Sequence, residues 1–128
     1  MKKTKKAAQT PTKRMPVRQG DVLLLPIEAD DAKLEPAPKD PRGLVLAEGE
    51  SSGHHHAVFG KGARLAQFRQ GGQRVVVVAD AGAEVRVVGG GSGGVDRHHA
   101  IELAPGKWEL RIQKAWDAQM AASHRVVD

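Results

Sequence analysis

Every apolar run between Val22 and Ile112 is short, and glycine, proline or aspartate closes or soon follows it. Runs of that length suit strands and are too short to bury one face of a multi-turn helix. Strands are expected over residues 22–27, 43–47, 56–59, 64–68, 74–79 and 84–88. Gly60-Lys61-Gly62, Gly71-Gly72 and Asp80-Ala81-Gly82 supply the turns between the later ones. Val75-Val76-Val77-Val78 is apolar at every position, which predicts a strand covered on both faces, whereas Glu84-Val85-Arg86-Val87 alternates and suits a half-exposed one. Ile101-Glu102-Leu103, a Pro105-Gly106 turn and residues 107–112 read as a β-hairpin in which Trp108, Leu110 and Ile112 share a face. Ala115 to Ser123 has weak helical periodicity. The expected class is all-β, a single small barrel or sandwich.

The chain of 128 residues, 40% hydrophobic, is sized for one domain, placed at 17–128. Aromatics are 3% of the residues, so Val, Leu, Ile and Ala must build the core. Cysteine is absent, which excludes a disulfide framework, a thiolate metal site and a cysteine nucleophile. No apolar run approaches a membrane span and no apolar segment follows the basic N-terminus, so a cytoplasmic protein with no membrane partner is expected.

The formal net charge of +5 divides unevenly. Residues 1–20 hold seven basic side chains and no acid, and the remainder holds 13 basic and 15 acidic ones. Residues 1–16, MKKTKKAAQTPTKRMP, lack apolar periodicity and read as a disordered basic arm. Lys2, Lys3, Lys5, Lys6, Lys13 and Arg14 could contact nucleic acid through its phosphates, without sequence preference because no aromatic is interleaved. A solvated tail is the simpler reading. Residues 28–42 hold five acids and three prolines and read as a surface loop.

Chemistry concentrates in Gly49-Glu50-Ser51-Ser52-Gly53-His54-His55-His56, which contains three of the six histidines. On a strand His54 and His56 project from one face roughly 7 Å apart, and His55 from the other. Two imidazoles so placed can hold a divalent metal (Zn, Ni, Fe or Mn) if a distant residue supplies a third ligand. His98 and His99 are the candidates. Glu48 and Glu50 could be a further ligand or orient an imidazole, or they are ordinary surface carboxylates. Residues 89–94, GGGSGG, lack the Lys-Ser/Thr of a phosphate-binding loop, and Ser51 and Ser52 lack a nucleophile-elbow context.

From Arg18 onward the chain resembles a family of small bacterial and phage-associated proteins without an assigned function. The resemblance rests on Gln19-Gly20-Asp21-Val22-Leu23-Leu24 and Gly49-Glu50-x-Ser52-Gly53-His54-x-His56. It continues through His98, Ile101-x-Leu103, Pro105-Gly106-x-Trp108 and Gln113-x-x-Trp116. Family members carry Tyr where this chain has Trp108 and Trp116, and usually an acid at Ala115. The pattern picks His98 as third ligand, whereas strict alternation back from Ile101 and Leu103 puts His99 on their face. Parity loses force at the first residue of a strand after a glycine loop, so His98 is preferred. The HxH pair with a late histidine is also similar to cupins, which implies a cupin-like double-stranded β-helix. Two features depart from that pattern: no Glu follows His56 within five residues, and Pro105-Gly106 lies after the late histidine. The Gly20-Asp21-Val22-Leu23-Leu24-x-Pro26 opening is similar to the small barrel of the GroES co-chaperonin, which implies no metal.

Three functions follow, with no catalytic residue identifiable. The first is a metal-binding β-domain acting as an accessory or ligand-binding module, with a small-molecule or protein ligand. The second is a cupin-type metal-dependent enzyme, which a cavity of several hundred Å³ around the histidines would favour. The third is a structural or assembly protein, including a homo-oligomer, whose arm contacts nucleic acid.

Overall fold

The computed structural model describes residues 14–49, 53–89 and 95–113, with residues 95–99 described by backbone alone. Ten strands are present among them: β1 (Val17–Gln19), β2 (Val22–Ile27), β3 (Leu34–Pro36), β4 (Leu44–Glu48), β5 (His54–Phe59), β6 (Arg64–Phe68), β7 (Arg74–Val78), β8 (Ala83–Gly89), β9 (Val95–Leu103) and β10 (Gly106–Ile112). They form a six-stranded sheet in the order β1-β2-β10-β7-β6-β3 and a four-stranded sheet in the order β4-β5-β8-β9. Both sheets are open and antiparallel, so of the two expected forms the chain takes the sandwich.

The core lies between the sheets. Val22, Leu24, Val76, Trp108 and Leu110 on one side meet Leu46, Val58, Val85 and Leu103 on the other. Trp108 is 2% exposed, and its indole N–H donates to the Ala104 carbonyl at 3.0 Å, so no buried donor is stranded. The all-valine run of β7 is buried on both faces as expected. Val76 and Val78 join the main core, while Val75 packs with Leu34 and Ala66 on the outer face. Lys107 ties residues 28–33 onto that face, donating to the Ala29 carbonyl at 2.7 Å and pairing with Asp31 at 3.0 Å.

Three sequence expectations need correction. The segment 28–42 is not all loop: it holds a short 3-10 turn at Asp31–Lys33 and the edge strand β3, whose Leu34 pairs with Phe68 of β6. Pro36 ends that edge strand, where its missing N–H breaks no ladder. Residues 101–112 do not form a hairpin. β9 pairs with β8 in the four-stranded sheet, and β10 lies between β2 and β7 in the other. The Pro105-Gly106 step therefore carries the chain across the sandwich, because the apolar β2 and β7 take both edges of β10. Arg14, counted with the free arm, sits on the body. It donates to the Lys107 carbonyl at 2.8 Å and the Ile27 carbonyl at 3.2 Å, and lies 5.2 Å from the Trp108 ring centroid. The helical expectation at 115–123, the arm up to Lys13 and most of the 89–94 run lie outside the described residues.

Candidate metal centre

β5 carries the histidine triplet, and its twofold side-chain alternation puts His54 and His56 on the inner face with Val58. His56 pairs with Val87 of β8 and with Ala47 of β4. It is 6% exposed, an uncommon position for an imidazole.

Gln19 explains how that burial is tolerated. β1 and β2 are joined by the two-residue turn Gly20-Asp21, since Gln19 pairs directly with Val22. Gly20 has φ +57 and Asp21 has no positive φ, the pattern of a type II′ turn with glycine first. The turn holds Gln19 against both sheets. Its amide nitrogen donates to the Val85 carbonyl at 3.1 Å, and its Oε1 lies 2.8 Å from His56 Nδ1. A carbonyl oxygen can only accept, so the Val85 bond fixes which end of the amide faces His56. Oε1 then requires a donor, so His56 carries its proton on Nδ1 and keeps a bare lone pair on Nε2.

The Nε2 edge of the ring is kept open. A Cβ on Gly20 would stand 3.3 Å from His56 Cε1 and 3.6 Å from Nε2. Gly20 and His56 line a cleft of about 430 Å³ with Arg18, Gln19, Val87, Ala100 and Ile101. Burial holds the His56 pKa below the ordinary histidine range, against an opposing pull from the Asp21 charge. A neutral imidazole with one nitrogen anchored and the other free is the form that ligates metal.

His54 is half-buried, and its Nδ1 is buried with no hydrogen-bond partner among the described residues. The backbone crowds it. A Cβ on Gly49 would lie 2.8 Å from His54 Cβ, and the Gly49 N–H donates to the His54 carbonyl at 2.7 Å. A buried ring nitrogen without a partner costs free energy that a metal or a proton donor would relieve.

The third ligand falls where the ladder is irregular. Val85 pairs with Ile101 and Val87 with Asp96, so Arg86 alone on β8 faces residues 97–100 of β9. His98 and His99 lie in this bulge, and side-chain parity does not carry through it. Asp96 stands in the same cross-strand row as His56, with Val87 between them. Among the described residues no three His, Asp or Glu side chains gather to hold a metal. The side chains of His98 and His99, and Glu50 altogether, lie outside the described residues.

Glu48 is brought elsewhere. It pairs across the strands with His55 on the outer face, and Arg42 holds its carboxylate at 2.6 Å and that of Asp40 at 3.0 Å. Arg42 keeps the Asp40 pKa down to about 2. Sequence reasoning missed Gln19 as the partner of His56; the signal was the Gln-Gly-Asp-Val turn, whose register places Gln19. Among the described residues no helix is long and apolar enough to cross a membrane.

The family described as "Domain of unknown function (DUF8820)" matches residues 18–113, well over half the chain. The chain belongs to this family, in keeping with the expected uncharacterised family. No curated protein and no solved structure matches it.

Proposed function

We propose that this member of the family is a small metal-binding β-domain that acts as an accessory or ligand-binding module. His54, His56 and His98 are the ligands, Asp96 is an added candidate, and the metal is a divalent ion suited to imidazole, namely Zn, Ni, Fe or Mn. The observation that carries the reading is the fixed tautomer of His56: Gln19 Oε1 accepts a hydrogen bond from Nδ1–H and leaves Nε2 free beside a cleft. Gln19 orients the imidazole, Gly20 keeps the approach to Nε2 clear, and burial keeps the ring neutral.

The cleft also supports the second reading, a cupin-type metal-dependent enzyme, because about 430 Å³ can admit a small ligand beside His56. The lining favours binding over catalysis. Among the described residues, that lining offers no carboxylate as general base, and its one formal charge is Arg18.

Metal analysis of the untagged chain, purified without chelator, tests the proposal. One metal per chain is expected, lost in His54→Ala, His56→Ala and His98→Ala, and kept in His55→Ala. Gln19→Leu should weaken binding about 10–100-fold, the range for losing a partner that orients a ligand. Full occupancy in the His54/His56 double variant, or no stoichiometric metal after loading, would overturn it. If His99→Ala and not His98→Ala strips the metal, the third ligand is His99.

A further inference from the structure

A second cleft opens at the opposite edge of the sandwich, where β4 ends the four-stranded sheet and faces β3 and β6 of the other. Its volume is about 690 Å³, in the range of small-molecule sites, and Ala37, Leu44, Val45, Leu46 and Leu65 give it an apolar lining. Arg74, the first residue of β7, stands in this lining and is half-buried. Its guanidinium donates to the Leu46 carbonyl at 2.8 Å and reaches the Val45 carbonyl at 3.5 Å. Two of its five N–H groups are thus engaged, and no carboxylate among the described residues pairs with it.

A guanidinium held in an apolar cleft without a counter-charge carries an electrostatic cost that a bound anion would remove. The two carboxylates lining the cleft, Asp40 and Glu48, are both held by Arg42. Lys39 and Arg64 add positive charge to the lining, and among the described residues the one carboxylate paired with Arg64 is Asp31, at 3.9 Å. We infer that this cleft binds a small amphipathic carboxylate, with its apolar chain along the partly exposed Leu44 and Leu65 and its carboxylate on Arg74. The planar fork of arginine matches a carboxylate in two hydrogen bonds. An extended peptide added to the β4 edge fits less well, because Arg74 already engages the Val45 and Leu46 carbonyls.

Decanoate, titrated calorimetrically into the full chain at concentrations below micelle formation, is the probe. Saturable one-to-one binding is expected, with decanol about ten- to a hundredfold weaker, the loss that follows from deleting a charge-assisted contact. Arg74→Gln should lose the preference for acid over alcohol, and Arg74→Lys should keep part of it. The acid–alcohol comparison on the unaltered chain stands even if the Arg74 variants fail to fold. Absence of saturable binding, equal affinity for decanol, or binding of an extended apolar peptide but not of decanoate would overturn the inference.

Discussion

Gly20 links the turn to the histidine, and replacing it with alanine should disturb both. At φ +57 an alanine suffers the left-handed penalty of about 1–2 kcal/mol. Restricting the unfolded chain returns about 0.4–1 kcal/mol. The new Cβ would also stand 3.3 Å from His56 Cε1, close enough that the ring must give by a few tenths of an ångström. The ring cannot give freely, because Gln19 holds Nδ1 at 2.8 Å. A net loss of about 1 kcal/mol follows, which lowers Tm by about 4 °C in a domain of this size. Urea and thermal unfolding of the metal-free protein measure it. Gly20→Asn should recover part of the loss, since asparagine is better tolerated than alanine at the positive-φ positions of such turns while keeping the same Cβ. Zinc affinity should fall in both variants, because the Cβ would sit 3.6 Å from Nε2. An alanine variant as stable as the parent, with unchanged zinc affinity, would refute the reasoning.

Stability should depend on pH through His56. Its native pKa is depressed by burial, so the unfolded chain takes up a proton where the native state does not. The stabilisation is complete above about pH 6.5 and is lost as pH falls through the lower native value; His56→Gln should flatten urea-derived stability across that window. Deleting residues 1–13 should move Tm by a degree or two, whereas Arg14→Met should cost about 1–3 kcal/mol through its carbonyl hydrogen bonds and its contact with Trp108. Gly106→Ala should destabilise by a similar route, because at φ +131 its Cβ would collide with the Arg14 guanidinium.

The strands were legible wherever period and punctuation agreed. Residues 64–68 are β6, and the valine run of β7 is covered on both faces. Strand pairing was not legible. A Pro-Gly step between two apolar runs reads locally as a hairpin, yet β10 gains more by inserting between β2 and β7 than by folding back on β9. The edge strand β3 was hidden because its one deeply buried side chain, Leu34, stands among acids and prolines. Within the site, the shared face of His54 and His56 follows from alternation alone. The role of Gln19 does not, since it is 37 residues from His56 in sequence and meets it only when the sheets stack. The choice between His98 and His99 fails on parity because the β9 bulge interrupts alternation at that point.

The central claim is that Gln19 fixes the His56 tautomer and so presents a free Nε2 to a metal. Long-range proton–nitrogen correlation spectroscopy of the histidine-labelled full chain at neutral pH observes this directly. The account predicts a proton on Nδ1 and a bare Nε2 for His56, with one equivalent of zinc shifting the Nε2 resonance while Nδ1 stays protonated. A proton on Nε2 in the metal-free chain, or an Nε2 resonance unmoved by zinc, would contradict it.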